Sequence, residues 1–204
     1  MSSNTLKRRK QSTENYIDAL LQNNSKLCAI RVDLKYKEPF SKDVSLDVIN
    51  KDLKRMLDNR RNNKTIFGNN LGYIIKKEVS GNGNLHLHAM FLEDGSKVQK
   101  AAYKADQIGK YWSEEITKGK GCYVNCNRRE YKNNGIGMVD YTDEEKINNL
   151  KKHAVSYFYK TDEQSIDDIK TNSKERAIVR GTIPKPKSKA GKPRKYSIED
   201  RKEV

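Results

Sequence analysis

The sequence predicts an α+β domain: an antiparallel β-sheet flanked by helices. Three observations carry that expectation. Residues 27–36, 71–79 and 85–92 are β-rich runs of strand length, the first alternating apolar and polar positions. Residues 45–59 and 98–116 repeat apolar residues at helical spacing. The turn Ser80-Gly81-Asn82-Gly83-Asn84 joins the second and third strand candidates closely enough to make a hairpin.

Taken in order, residues 1–13 are expected to lack order, and residues 13–22 to form a short amphipathic helix through Tyr16, Ile17, Leu20 and Leu21. Together, residues 1–24 read as an N-terminal extension, 25–182 as the principal domain and 183–204 as a basic disordered tail rich in Lys, Pro, Ser and Gly. Within the domain, a first strand (27–36) precedes a helix (45–59) carrying Leu46, Val48, Ile49, Leu53, Met56 and Leu57, with Ser45 as its cap and Pro39 outside it. The hairpin strands follow, closed by Glu93-Asp94-Gly95-Ser96. A long helix over 98–116 then buries Ala101, Ala102, Ala105, Ile108, Gly109 and Trp112, and ends at Gly119 and Gly121. Residues 122–125 make a short strand and 136–140 an edge strand. The last helix opens on a capping box, Thr142-Asp143-Glu144-Glu145, and runs to about residue 160.

The chain carries 42 Lys+Arg against 27 Asp+Glu, a net charge of +15 over 204 residues, and the basic residues are spread throughout. An excess of this size points to a nucleic-acid partner. No apolar run reaches the ~18 residues that a membrane span needs, and residues 1–11 lack the apolar stretch of a secretory signal. Cys28, Cys122 and Cys126 are odd in number and have no CxxC spacing. Free thiols in a reducing cytoplasm are therefore expected, with no disulfide framework or zinc knuckle.

The densest chemistry lies at His86-Leu87-His88. Two histidines one residue apart on a strand point to the same face. Folding back through the turn brings Glu78 beside them, which gives two imidazoles and one carboxylate for a divalent cation, Mg²⁺ or Mn²⁺. On the last helix, at 100° per residue, Ile147, Leu150, Ala154 and Phe158 form the apolar stripe. Tyr157 falls at its edge with His153 and Lys160 on the same flank, and Tyr159 points about 200° away. A phenol suits attack on a phosphodiester because it forms a stable covalent intermediate and departs readily in the reverse step. Lys160 can then steady the developing charge.

Two other readings use the same residues. Glu93, five residues after His88, would complete a His-x-His…Glu iron site of a β-barrel oxygenase, although the helices and the charge oppose it. A non-catalytic nucleic-acid-binding regulator would use the sheet with Tyr36, Tyr73 and Tyr123, but has no need of the metal and tyrosine groups.

The order carboxylate, His-hydrophobic-His and a later YxxK resembles the Rep branch of the HUH endonucleases. More narrowly, residues 26–182 resemble the inovirus Gp2 and YagK/YfjJ C-terminal-domain family of phages, prophages and satellite elements. The resembling stretches are Arg31-Val32-Asp33-Leu34, residues 86–95, residues 103–112 with Gly119-Lys120-Gly121, Gly135-Ile136-Gly137-Met138, and residues 157–162 with Arg180-Gly181.

This resemblance implies a nickase on an RRM-related sheet that initiates rolling-circle replication at a single-stranded or locally melted DNA origin. It would remain on the 5′ phosphate through tyrosine and leave a 3′ hydroxyl for a host polymerase. The chain has no helicase motif, so a host helicase is a further expected partner. By position, the resemblance assigns Glu78, His86 and His88 to the metal and Tyr157 with Lys160 to catalysis; His153, on the Tyr157 flank of the helix, and Tyr159 are auxiliary candidates. Phe158-Tyr159 departs from the family pattern by placing a second aromatic inside the motif, so Tyr159 stands as an alternative nucleophile. Attack on a competitor's genome would use the same site.

Overall fold

A computed structural model describes residues 3–159, 166–170 and 175–187. The architecture is α+β: six strands form one antiparallel sheet with helices on both faces. The strands are β1 (Lys26–Tyr36), β2 (Asn70–Val79), β3 (Leu85–Asp94), β4 (Gly121–Asn125), β5 (Gly137–Asp140) and β6 (Ile178–Arg180). Their order is β4-β1-β3-β2-β6, with β5 also paired to β1. β4 takes the C-terminal half of that edge of β1, opposite Val32 to Tyr36, and β5 takes the start, opposite Lys26 to Ala29.

The helices are α1 (Ser3–Asn23), α2 (Leu46–Asn59), the single turn α3 (Lys64–Phe67), α4 (Ala101–Tyr111) and α5 (Glu144–Asn149). One sheet face presents Cys28, Ile30, Val32 and Leu34 of β1, Ile75 of β2, and Leu87, Ala89 and Phe91 of β3. It packs on Leu46, Ile49, Leu53 and Met56 of α2 and on Ala105 and Ile108 of α4, with Trp112 just beyond. Leu46, Ile49, Leu53 and Met56 recur every three or four residues, so α2 turns one continuous stripe to the sheet. Ser45 starts the helix by accepting the Val48 amide at 3.3 Å.

The opposite face presents Leu27, Ala29, Ile74, Met90 and Leu92 under Tyr16, Ile17, Leu20 and Leu21 of α1 and Ile147, Leu150, Ala154, Val155 and Phe158. That apolar layer stops partway along the strands. Beyond Ile74 and Met90 the same face continues as Arg31, Asp33, Lys76, Glu78, His86 and His88, all of them buried. A sheet face that changes from oil to charge under the end of a helix is what positions the site.

Several features differ from the sequence expectation. α1 begins at Ser3 rather than near residue 13. Its Tyr16–Leu21 stripe is buried against the sheet, and the preceding Leu6-Lys7-Arg8-Arg9-Lys10-Gln11 consists of good helix formers that extend an anchored helix.

The helix expected over 142–160 is α-helical only to Asn149. It widens into a π turn at residues 150–155 and tightens into a 3₁₀ turn at residues 156–159. Its cap is Asp143, which accepts the Lys146 amide at 2.9 Å, rather than Thr142. α4 likewise ends in a π turn over residues 112–116. There the Thr117 amide reaches back to the Trp112 carbonyl, and the indole is tied to the Lys35 carbonyl at 3.0 Å.

β6 and α3 were not anticipated. β6 has three residues, too few for alternation to register. Of the expected basic tail, residues 183–187 are described: Asn23 at the end of α1 donates to the Lys185 carbonyl at 2.8 Å and accepts the Lys187 amide at 2.9 Å. Residues 188–204 lie outside the described residues, as does Lys160.

Candidate metal and tyrosine site

The hairpin register explains why three distant residues meet. Ser80 closes the turn by donating its amide to the Asn84 carbonyl at 2.9 Å, and Gly83 holds φ at +83°, where a side chain would be strained. That turn sets Glu78 directly opposite His86 and Lys76 opposite His88. On the other side of β3, Asp33 stands opposite His88. Asp33, His88 and Lys76 thus form one row across three strands, with Glu78 and His86 in the next.

The three ligand atoms of Glu78, His86 and His88 lie within 4.8 Å of one another, a group that could hold a metal ion. Glu78 Oε2 is 2.6 Å from His88 Nε2 and 3.2 Å from His86 Nε2. The two Nε2 atoms are 3.1 Å apart. Asp33 Oδ1 accepts from His88 Nδ1 at 2.6 Å and so directs Nε2 inward. Lys76 Nζ donates to Glu78 Oε1 at 2.7 Å, leaving Oε2 for the imidazoles.

The charges agree with the geometry. Burial works to raise the Glu78 carboxyl, but hydrogen bonds from His86, His88 and Lys76 overcome it and hold the group far below the usual carboxylate range. Burial also opposes ionisation of Asp33, yet its bond to His88 keeps it below the ordinary value. His88 is pulled the other way: burial lowers it, while bonds to Asp33 and Glu78 raise it above an ordinary histidine. Two ionised carboxylates around two imidazoles form a donor set that fits a divalent cation when the rings are neutral. Asp33 supplies the outer support typical of metal-bound histidine.

Tyr157 stands over this group. Its ring meets His88 edge to face, with centroids 5.1 Å apart, and the Arg31 guanidinium lies 4.1 Å from the centre of the same ring. Burial raises the phenol above its usual value, the Arg31 charge works against that, and Glu78 and Asp33 add to it. His153 is exposed and lines a cavity with Tyr157 and Arg31. Tyr159 turns elsewhere: its hydroxyl is 2.5 Å from Thr13 Oγ1 in a buried contact with α1.

Arg31, Asp33 and Lys76 were not among the sequence candidates. Their signal was present, because Arg31 and Asp33 interrupt an apolar strand at period two, and Lys76 precedes Glu78 by two. Glu93 falls on the other face with Leu87, Ala89 and Phe91. It is fully buried there and bonded to Asn70 at 3.0 Å, so the His-x-His…Glu iron reading fails on pleat geometry. A shallow cleft of about 400 Å³, lined by Lys35, His86 and the hairpin turn, flanks the triad on the side of His86.

All three cysteines are free thiols, Cys28 and Cys126 buried and Cys122 half-buried. Among the described residues, no helix is long and apolar enough to cross a membrane. A sequence profile described as the YagK/YfjJ C-terminal domain matches residues 2–173, which include α1 and the whole site. No curated protein and no solved structure matches the chain.

Proposed function

The chain belongs to the YagK/YfjJ C-terminal-domain family, and from that premise we propose that it is a metal-dependent, site-specific DNA nickase of the HUH type. Its substrate is single-stranded or locally melted DNA at the replication origin of a phage, prophage or satellite element. The observation that carries this reading is Tyr157 against His88 at 5.1 Å, above the Glu78–His86–His88 group. A structural aromatic needs no such partners, and a purely binding sheet needs no inward-turned imidazoles.

The residues divide the work. Glu78, His86 and His88 would hold Mg²⁺ or Mn²⁺, which supplies charge neutralisation at the non-bridging phosphate oxygens when bound. Asp33 and Lys76 orient the ligands. The Tyr157 phenol gives up its proton, and its oxygen forms a bond to phosphorus. The bond from phosphorus to the 3′ oxygen breaks, and that oxygen takes up a proton, leaving a 5′-phosphotyrosyl link and a free 3′ hydroxyl. Arg31, fixed beside the ring, favours the phenolate over the phenol. The net charge of +15 draws in the strand. A host polymerase extends the 3′ hydroxyl, and a host helicase unwinds ahead of it.

The test is incubation with labelled single-stranded candidate origin DNA and Mn²⁺, followed by denaturing electrophoresis. A label that migrates with the protein supports the reading. It should vanish with EDTA or in the double variant His86→Ala/His88→Ala, while DNA binding persists. An adduct that forms equally in EDTA, or binding with no adduct on any origin sequence, rejects it; the latter favours a replication regulator.

A further inference from the structure

Beside Tyr157, on the side away from the hairpin, a cavity of about 280 Å³ enters the domain. Its lining includes Arg31, Arg129, Tyr131, Asn133, His153 and Tyr157. The metal group does not extend into it, and the cleavage chemistry proposed above uses only its rim.

Three observations indicate what it takes. Arg31 is nine-tenths buried, yet its Nε has no hydrogen-bond partner among the described residues. A buried guanidinium nitrogen left unpaired is costly, so Arg31, which lines the cavity, is a charge that the protein's own groups satisfy incompletely. Second, the charge is positive: Arg31 and Arg129 line the cavity against one carboxylate, Asp33, which is shared between His88 Nδ1 at 2.6 Å and the Arg31 guanidinium at 4.0 Å. Third, Tyr131 is pinned by its hydroxyl to the Cys126 carbonyl at 3.3 Å, while the residue remains 36% exposed. Its ring is an anchored apolar plane at the mouth of a cationic recess. Asn133 adds an amide that can both donate and accept.

A flat heteroaromatic ring attached to an anion fits this combination. The volume of about 280 Å³ has room for one base. We infer that the cavity receives a single unpaired nucleotide of the DNA strand, its base stacked on Tyr131 and a phosphate held by Arg31 and Arg129. The inference rests on the nickase reading and deepens it. The captured nucleotide neighbours the phosphate that Tyr157 attacks, so the cavity fixes the register of the strand over the metal group. Stacking tolerates any base, and the Asn133 amide supplies a contact that can discriminate among them.

The experiment is fluorescence anisotropy of the full chain in EDTA with short random-sequence single-stranded DNA, and in parallel with an abasic strand of the same length. Tyr131→Ala should weaken binding to the base-bearing strand by about tenfold, the scale of one base–aromatic stack, and leave abasic binding unchanged. Tyr131→Phe, which keeps the ring, should stay within about twofold of the wild type. Arg129→Ala should weaken both strands and flatten the log–log salt dependence by about 0.7, one phosphate's share. Equal binding by Tyr131→Ala and wild type, or an equal loss on both strands, overturns the stacking assignment. An unchanged salt slope in Arg129→Ala overturns the phosphate assignment. If the wild type fails to bind single-stranded DNA at all, the nickase reading falls and this inference with it. Normal wild-type binding without loss in Tyr131→Ala removes this inference alone.

Discussion

Asp33 on β1 holds His88 on β3 from behind: Asp33 Oδ1 is 2.6 Å from His88 Nδ1, and the opposite nitrogen of the same ring is 2.6 Å from Glu78 Oε2. The carboxylate fixes both the tautomer and the rotation of the imidazole. A metal at Nε2 therefore meets a ligand whose orientation has already been set.

Removing that support should be felt as metal affinity. Asp33→Ala should weaken Mn²⁺ binding by roughly 10- to 100-fold, measured by calorimetry, while circular dichroism stays that of the wild type. Asp33→Asn keeps an oxygen that can accept from Nδ1 and should fall between the two. Affinity unchanged in Asp33→Ala would mean that His88 is held by packing alone.

The two tyrosines should separate cleanly. Tyr157→Phe keeps the ring between His88 and Arg31 but removes the attacking oxygen, so the fold should persist and the covalent adduct disappear. Tyr159→Phe removes a hydroxyl bonded to buried Thr13, 2.5 Å away. It should cost about 1 kcal/mol of stability, read as a lower Tm, and retain cleavage. Mass spectrometry of the trapped adduct checks the assignment: a nucleotide found on Tyr159 refutes it.

The metal-free protein should respond to pH in a direction set by His88, whose pKa is raised in the folded state by Asp33 and Glu78 against the effect of burial. A group raised on folding stabilises fully below its unfolded value, about 6.5 for histidine, and loses that contribution as pH rises through the folded value. In EDTA, Tm should therefore fall as pH increases from about 6 toward 8. Asp33 and Glu78 are depressed groups whose contributions fade only as pH falls well below this window. Added Mn²⁺ should reverse the trend, because metal displaces the His88 proton and binds more tightly at higher pH. A Tm that rises with pH in EDTA would contradict the charged Asp33–His88–Glu78 arrangement.

The strands and the triad were legible in the sequence because period-two alternation and a Gly-containing turn determine register by themselves. Glu78 opposite His86 follows from counting back through residues 80–84. Of the supporting residues, Asp33 was the harder to read. Asp33 meets His88 across strands, and the β1–β3 pairing that brings it there depends on sheet order rather than local pattern; Lys76 follows from the same hairpin register as Glu78, to which it donates. Tyr157 faces the sheet, but not through uniform helical geometry. Uniform 100° steps place Tyr157 toward the sheet, but the chain reaches that position through a π turn followed by a 3₁₀ turn. The first under-winds and the second over-winds, so their phase errors partly offset. α1 was underestimated because Ser3 to Ser12 carry charge and little apolar pattern; the anchored stripe at residues 16–21 holds them in helix.

Gly135 gives the sharpest test of whether helix placement controls the site. A Cβ at Gly135 would clash with the Asn149 carbonyl oxygen and lie 2.6 Å from Leu150 Cα, where the α-helix gives way to the π turn. These are backbone atoms, which cannot rotate aside, so Gly135→Ala forces apart the residue 135 loop and the segment that carries Tyr157. Overpacking of this kind costs about 1–3 kcal/mol, and a shift of roughly 1 Å at the nucleophile can cost about 100-fold in rate. Gly137→Ala is the matched control. Gly137 has φ at +85° and nothing within 4 Å of the added carbon, so the substitution strains β5 without pushing the helix. Its cost should be about 1–2 kcal/mol from the left-handed backbone alone. Both variants should lower Tm by comparable amounts, but only Gly135→Ala should lose most of its cleavage rate under conditions where each remains folded. Equal cleavage by the two would show that Tyr157 reaches its position independently of the Gly135 contact.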